Sequence, residues 1–417
     1  MQPLKPAIEG GQPVRKKFLI FGQPRFFKEE ITQILDTLRS GWWGTGPKTQ
    51  KFQNQFSKYI GARFALGLNS CTAALELALD VLGIGADDEV ITTPITFVAT
   101  ANVIVHKGAK PVFADIDPIT WNIDPSQIKK KVTKKTKAII VVHLHGRPCE
   151  MEEIMAIAKK NNLFVIEDAA HALETWYKGK KIGTFGHLSA FSFYVTKNVA
   201  TGEGGMLVTN NKKWFTQAKI KSLHGISTDA WKRYSASGFK PYEAIYAGYK
   251  FNMTDIQASL GIPQLKRVNK NLQIRKKYWQ IYMEGLKNIP QITLPAPIEK
   301  KTIHGMHIFA LLLDSKKLKI SRNQFIDEMK KKNIGCGIHF TPLHLHKFYR
   351  QTFGFKEGML PVAEKIGANI VSLPFYPHMT KKDLDDVIAA VTKIINAASD
   401  NKSENTLNGV SPKAIFN

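Results

Sequence analysis

Apolar and polar residues alternate along this chain with two different periods. Short apolar runs at 89–94, 110–114, 137–143 and 163–167 have the length of strands. Between them, residues 71–82, 96–106 and 150–160 space their apolar side chains as helices do. Strands and helices in this alternation predict an α/β fold with a mainly parallel sheet covered by helices. Ligands of such sheets bind beyond the carboxyl ends of the strands. Earlier, a helix over 27–39 places Ile31, Ile34, Leu35 and Leu38 along one face, and Gly41 to Pro47 reads as a turn. A long helical stretch over 254–288 carries Ile256, Leu260, Leu265 and Val268, then a basic, aromatic run through Tyr278. A domain hinge is expected inside it. Strand patterns at 303–313 and 335–340, with helices near 321–332, 360–369 and 380–396, predict a smaller α+β domain. The expected division is an arm at 1–17, a large domain at 18–262, a small domain at 263–396 and a disordered, polar tail at 397–417.

Composition narrows the classes. The 417 residues are 43% hydrophobic, enough for two cores. Lys and Arg number 59 against 34 Asp and Glu, for a formal net charge of +25. That balance raises nucleic acid or an acidic membrane as partners. The lysines, however, fall in scattered clusters such as Lys129–Lys131 and Lys330–Lys332, without the interleaved aromatics of a single-strand platform. The expectation is therefore no nucleic acid, with a field that favours an anionic small substrate. Three distant cysteines, Cys71, Cys149 and Cys336, build neither a zinc site nor a disulfide framework. No signal-like segment and no membrane-length apolar run is visible, so a cytoplasmic protein without a membrane partner is expected. Gly-x-Gly-x-x-Gly after a strand, a Walker-type loop and His-Glu-x-x-His are all missing, which argues against nicotinamide, nucleotide-hydrolysing and zinc chemistry.

Two runs carry chemistry. Phe164 to His171 is an apolar strand that ends in a carboxylate, Asp168. Lys197 follows 29 residues later, after another apolar strand and just before Gly202, Gly204 and Gly205. A Schiff-base lysine paired with an acid at a strand end suits pyridoxal phosphate (PLP), whose ring nitrogen the acid keeps protonated. An isolated lysine would read as a surface charge; the acid and the glycines reverse that. Ser192 can offer a hydroxyl to a phosphate. Asn69, Ser70, Cys71 and Thr72 open a helix whose free amides form a ready phosphate site, although plain N-capping explains them when taken alone. Phe97 can stack on a flat ring or serve as a core aromatic. His171 can meet the phenolic oxygen of the cofactor or merely orient Asp168. Asp115 and Asp117 read as turn residues.

These runs resemble a known family. Glu167 to Ala172, Phe191 to Asn198 and Thr201 to Met206 are similar to the DegT/DnrJ/EryC1/StrS sugar aminotransferases. So are Ser40 to Pro47, Asn252 to Ala258 and Thr341 to His344. The likeness spans about 18–396 and implies the type I PLP-dependent aminotransferase fold, with a seven-stranded, mainly parallel sheet. It also implies a homodimer with shared active sites.

Roles follow from the resemblance residue by residue. Lys197 matches the Schiff-base lysine, Asp168 the ring-nitrogen partner and His171 the residue near the phenolic oxygen. Cys71, Thr72, Ala73 and Ser192 match the phosphate region, Phe97 the stacking position, and Asn252 a phosphate contact from the other subunit. Trp42, Thr45, His224, Arg233, His339 and His344 are the implied substrate residues. The stretch from His224 to Tyr234 is similar to members acting on UDP- or dTDP-linked 4-keto sugars. The implied reaction moves an amino group from L-glutamate to a nucleotide-linked keto sugar. Cys71 departs from the glycine, and His187 from the aspartate, of many members. A cyclitol aminotransferase shares this chemistry. A PLP-dependent sugar dehydratase shares the fold but carries histidine in place of the lysine. A regulatory or nucleic-acid-binding protein on the same fold has only the net charge in its favour.

Overall fold

The computed structural model describes residues 13–226 and 243–399. Twelve strands appear among them, seven in one sheet. These are β1 (Phe64–Leu68), β2 (Glu89–Thr92), β3 (Lys110–Phe113), β4 (Thr136–Val142), β5 (Phe164–Asp168), β8 (Leu188–Ser192) and β9 (Gly205–Thr209), in the order β1-β9-β8-β5-β4-β2-β3. A two-stranded ribbon, β6 (Trp176–Tyr177) with β7 (Lys180–Lys181), lies between β5 and β8 in sequence. From β8 to β3 the pairings are parallel; β9 alone runs against both its neighbours. Every other strand of the sheet therefore ends on one edge, and β9 begins there. At that edge Gly205 pairs with both Leu68 and Ser192, and Asp168 pairs with Ala190.

Helices cover both faces, so the strands read as continuous apolar runs. Ile139 and Val141 face one core, with Phe52, Phe56, Phe191 and Phe193. Ala138 and Ile140 face the other, with Leu75, Leu77 and Leu79 of the helix Cys71–Val81. Helix ends follow local chemistry. Ser70 caps its helix by accepting from the Ala73 amide, and Gly61 closes Pro47–Ile60 in the left-handed region at φ 84°. Thr254 and Gln257 form a capping box that opens the helix Asp255–Leu286.

That helix is unbroken through Pro263, so no bend marks the expected hinge. It passes from one core to another instead: Val268 packs with the sheet, whereas Leu272, Trp279 and Tyr282 pack with the C-terminal residues. The C-terminal sheet is β10 (Ile292–Thr293), β11 (Phe309–Leu313) and β12 (Ile370–Leu373), all antiparallel. Only 309–313 of the 303–313 pattern is strand. The 335–340 pattern forms none, because its backbone divides between partners: the Gly335 amide donates to Leu19 and the Gly337 amide to Ser372. Leu19 accordingly joins the C-terminal core, and Arg15 ion-pairs with Asp383 and Asp386. The last helix reaches Ala398, and Ser399 bridges to Leu318, so the expected tail begins in ordered chain. Residues 1–12, the 227–242 part of the predicted substrate stretch with Arg233, and residues 400–417 lie outside the described residues.

Glu167 anchors the central strand from the face opposite Asp168. It is fully buried and accepts from the Gly183, Phe185 and Gly186 amides and the Ser189 hydroxyl. The Cys149 amide donates to His143 Nδ1 at 3.1 Å, so Nε2 carries the proton it donates to Glu167, also at 3.1 Å. These bonds hold the Glu167 carboxyl below its ordinary value against the upward push of burial. Glu167→Ala is expected to lower stability by about 3–5 kcal/mol, the usual result of breaking a buried charged network. The urea midpoint reads this out; a loss below about 1 kcal/mol, as for an exposed pair, would contradict the anchoring role.

Candidate active site

A cavity of about 660 Å³ opens at the edge where the strands end. Asp168 stands on its wall. The Thr100 hydroxyl donates to one carboxylate oxygen at 2.8 Å and the Ala170 amide to the other at 3.2 Å. Burial still pushes this carboxyl above its ordinary value, with Thr100, Ala170 and Lys197 pulling it down. A buried carboxylate so placed gains from a cationic N–H partner.

Lys197 rides on the loop between β8 and β9. The loop is folded back on itself: the Phe193 amide donates to Gly204, the Lys197 amide to Tyr194 and the Thr201 amide to Phe193. Gln264 of the long helix clamps it by exchanging two hydrogen bonds with Ala200, at 2.9 and 2.7 Å. Burial pushes Lys197 down to about 8; Cys71 and Asp168 oppose the shift. Its amine is therefore a usable nucleophile and base near neutral pH. Behind it, Asn198 donates to Glu174 at 2.8 Å and lies 2.9 Å from His307 Nδ1. Glu174 and Arg275 form an ion pair that is almost wholly buried.

One part of the cavity wall is a helix start. Cys71 and Thr72, the first residues of their helix, line it together with Ser70 and Ser192. A Cβ at Gly205 would sit 2.3 Å from the Ser70 carbonyl carbon. Only glycine therefore lets β9 approach the helix start. The Ala73 amide is taken by Ser70 Oγ at 3.1 Å, and Ala73 does not line the cavity; this differs from the sequence expectation and leaves the Cys71 and Thr72 amides for an anion. Burial holds the Cys71 thiol well above its ordinary value, so it stays protonated beside that cradle.

Phe97 lines the cavity and is 60% exposed, so it offers an open ring face and is no core aromatic. His171 and Phe340 stack at 6.0 Å. The His145 amide donates to His171 Nδ1 at 3.3 Å, which puts the imidazole proton on Nε2. Burial drives His171 and His307 well below the usual histidine value, His145 to about 4 and His339 to about 3. The ring set around Lys197 is thus neutral.

The remaining expected residues divide. His339 lines the cavity. Trp42, Thr45, Asn252, His224 and His344 do not. His344 is buried elsewhere and bonds Glu364 at 2.9 Å, because its 3-10 turn packs with Phe113 at the end of β3. Asn252 donates to Thr45 Oγ1 at 2.7 Å, and Trp42 Nε1 donates to the Thr45 carbonyl. These three form one hydrogen-bonded patch outside the lining of the cavity of their own chain. Asp255 ties the patch down, accepting from the Gly46, Lys48 and Thr49 amides at 2.8 Å. Next to it, Ile31, Leu35 and Leu38 are exposed on one face of the helix Lys28–Arg39, as are Trp42 and Trp43. The sequence reading missed Thr100, Asn198, Glu174, His307 and Arg275. Only Asn198, beside Lys197, gave a local signal.

Known proteins resemble the chain along most of its length. The profile of the DegT/DnrJ/EryC1/StrS aminotransferase family matches residues 24–392. An uncharacterised protein of Methanocaldococcus jannaschii, MJ1066, is 53% identical over 383 residues, which cover 92% of this chain and 99% of that one. The spore coat polysaccharide biosynthesis protein SpsC of Bacillus subtilis is 46% identical over 385 residues, again 92% and 99% of the two chains. Among solved structures, the PMP form of Spr1654 from Streptococcus pneumoniae, named a sugar aminotransferase, superposes with a TM-score of 0.85 at 33% identity, covering 91% of this chain and 99% of that one.

The lysine carries a direct test. In cofactor-free protein, Lys197 should react with an amine-selective reagent at half-maximal rate near pH 8, whereas an ordinary lysine titrates near about 10.4. Peptide-resolved mass spectrometry over a pH series measures this, and an ordinary profile for Lys197 would refute its buried setting. The sign is also fixed for stability: with a folded value below the unfolded 10.5, Lys197 costs stability at pH below about 8, and the cost fades as pH rises toward 10.5.

Proposed function

The chain belongs to the DegT/DnrJ/EryC1/StrS aminotransferase family, sugar aminotransferases that use PLP, and on that premise we propose that it moves the amino group of L-glutamate to a nucleotide-linked keto sugar. A UDP- or dTDP-linked 4-keto-6-deoxy sugar fits the reading best, with the amino sugar entering a glycan or polysaccharide. The likeness to a spore coat polysaccharide protein supports that destination. The observation that carries the reading is Lys197 and Asp168 on the walls of one cavity, with the helix-start cradle beside them.

When bound, the cofactor supplies an aldehyde for amino transfer and a ring that takes up charge when a proton leaves carbon. The rest belongs to the residues of the chain. Asp168 would hold a proton at the ring nitrogen, and the Cys71 and Thr72 amides with the Ser192 hydroxyl would hold the phosphate. Phe97 would offer its exposed face to the ring, and His171 would have Nε2–H free to donate. Lys197 Nζ would hold the aldehyde, and as a free amine of lowered basicity it would take a proton from the donor's Cα in one half-reaction and give one to the acceptor's carbon in the other. A dehydratase would lack this mobile amine.

The homodimer enters as part of the same proposal. Asn252, Thr45 and Trp42 do not line their own cavity, and Ile31, Leu35 and Leu38 are exposed on one helix face. A twofold partner placed over that face would receive Asn252 at its phosphate end. The free cysteines fit a reducing, cytoplasmic setting.

Glutamate alone should bleach the aldehyde absorption of the holoenzyme and release 2-oxoglutarate stoichiometrically with sites. Adding a 4-keto sugar nucleotide should restore the absorption and give an amino sugar. A product that has lost a hydroxyl and gained no nitrogen would sink the reading. Lys197→Ala and Lys197→Arg should each lose turnover by several orders of magnitude, since neither side chain can serve as both anchor and base. Mixing Lys197→Ala with Asn252→Ala subunits should recover part of the activity. If no mixture does, the two residues do not serve one site from opposite chains.

A further inference from the structure

The long helix turns a polar row toward the cavity. Gln264, Arg267, Asn271 and Arg275 recur at three- and four-residue spacings and all line the wall. Arg275 marks the reacting end, through Glu174 and Asn198 beside Lys197. Arg267 lies eight residues earlier, about 12 Å along the axis. That separation leaves room for one sugar ring between the amine and Arg267.

The Arg267 end is cationic. The Arg267 guanidinium lies 4.6 Å over the Phe27 ring and the Arg25 guanidinium 5.1 Å from the same ring. Both line the cavity. Arg267 pairs with buried Glu30, yet its Nε is buried without a hydrogen-bond partner. Arg25 is exposed, and no carboxylate of the described residues makes an ion pair with it. Two guanidiniums against one carboxylate leave the mouth with an uncompensated charge. His378 packs edge-on to Phe27 at 5.9 Å and is held below its ordinary value by burial and by both arginines, so it adds no charge there. On its other flank Arg267 borders a second groove, lined also by Lys28, Lys51 and Lys266, with Glu29 as its one acid.

We propose that Arg25 and Arg267, both set against the Phe27 ring, are the receptor for the diphosphate of the acceptor substrate, with its nucleoside running toward the Lys28–Lys51–Lys266 groove. The inference rests on the nucleotide-sugar reading above and adds where the nucleotide end sits. Paired guanidiniums suit a diphosphate, whose charges are spread over two phosphoryl groups. A donor carboxylate bound here would stand a full sugar length from Lys197. The site uses other residues than the cradle at Ser70 to Thr72, so one cavity would hold the cofactor's phosphate and the substrate's diphosphate separately.

Isothermal titration of the holoenzyme with UDP, dTDP, inorganic pyrophosphate and uridine tests this. Arg25→Ala changes an exposed residue, and Arg267→Lys keeps a cation for Glu30, so both should fold; equal melting temperatures check it. Each is expected to weaken UDP and pyrophosphate by roughly tenfold or more, while uridine is bound as by wild type. Wild-type affinity for UDP should fall as salt rises. Unchanged UDP affinity in both variants would overturn the assignment and leave the nucleotide-sugar reading standing. Weakened pyrophosphate with unchanged UDP would also overturn it, since the arginines would then hold only a free anion. Failure of wild type to bind either UDP or dTDP would overturn the assignment and the nucleotide reading together; glutamate-driven bleaching reports on amino transfer separately.

Discussion

Two consecutive carboxylates leave one buried strand on opposite faces, and the site depends on the difference between them. Glu167 has its oxygens filled by backbone amides, a serine and a histidine. Asp168 has one hydroxyl and one amide, and faces a cavity. The period of two makes this separation automatic for adjacent residues of a strand. The satisfied carboxylate fixes the strand; the under-satisfied one is left to meet a cationic partner. Burial makes such a carboxylate expensive until the partner arrives, which ties cofactor binding to the charge state of Asp168.

The sheet order then decides what surrounds Asp168. A purely parallel sheet would put only strand ends at this edge. Inserting β9 in reverse between β1 and β8 brings Gly205 between Leu68 and Ser192. The same reversal creates the loop that carries Lys197 and seats it next to the helix start at Cys71. One topological exception thus joins phosphate cradle and amine. The long helix closes the other wall, clamping the lysine loop through Gln264 and carrying the cationic row that ends at Arg267.

Much of this was legible in the residues. Strands β2 to β5 and their helices appear as apolar periods, and Asp168, Lys197 and the glycines stand out against them. Strands β1 and β12 went unread. Both are short, Phe64–Leu68 and Ile370–Leu373, and neither shows the alternation of a strand with one face exposed. The apolar face of Ile31, Leu35 and Leu38 signals a helix but not what covers it; in a single chain it lies open. Glu174 and Arg275 are 101 residues apart, and a buried pair at such separation leaves no local trace. His344 looked like a site residue by its motif, yet its turn points it at Glu364. Periodicity reports which face is buried. It does not report which polar residues from distant segments converge.

The central claim is that Asp168 sets the protonation of the cofactor ring. Nitrogen-15 NMR of holoenzyme reconstituted with ring-labelled PLP measures this directly. The account predicts a protonated ring nitrogen in wild type across neutral pH and an unprotonated one in Asp168→Asn. Identical nitrogen shifts in the two proteins would contradict it.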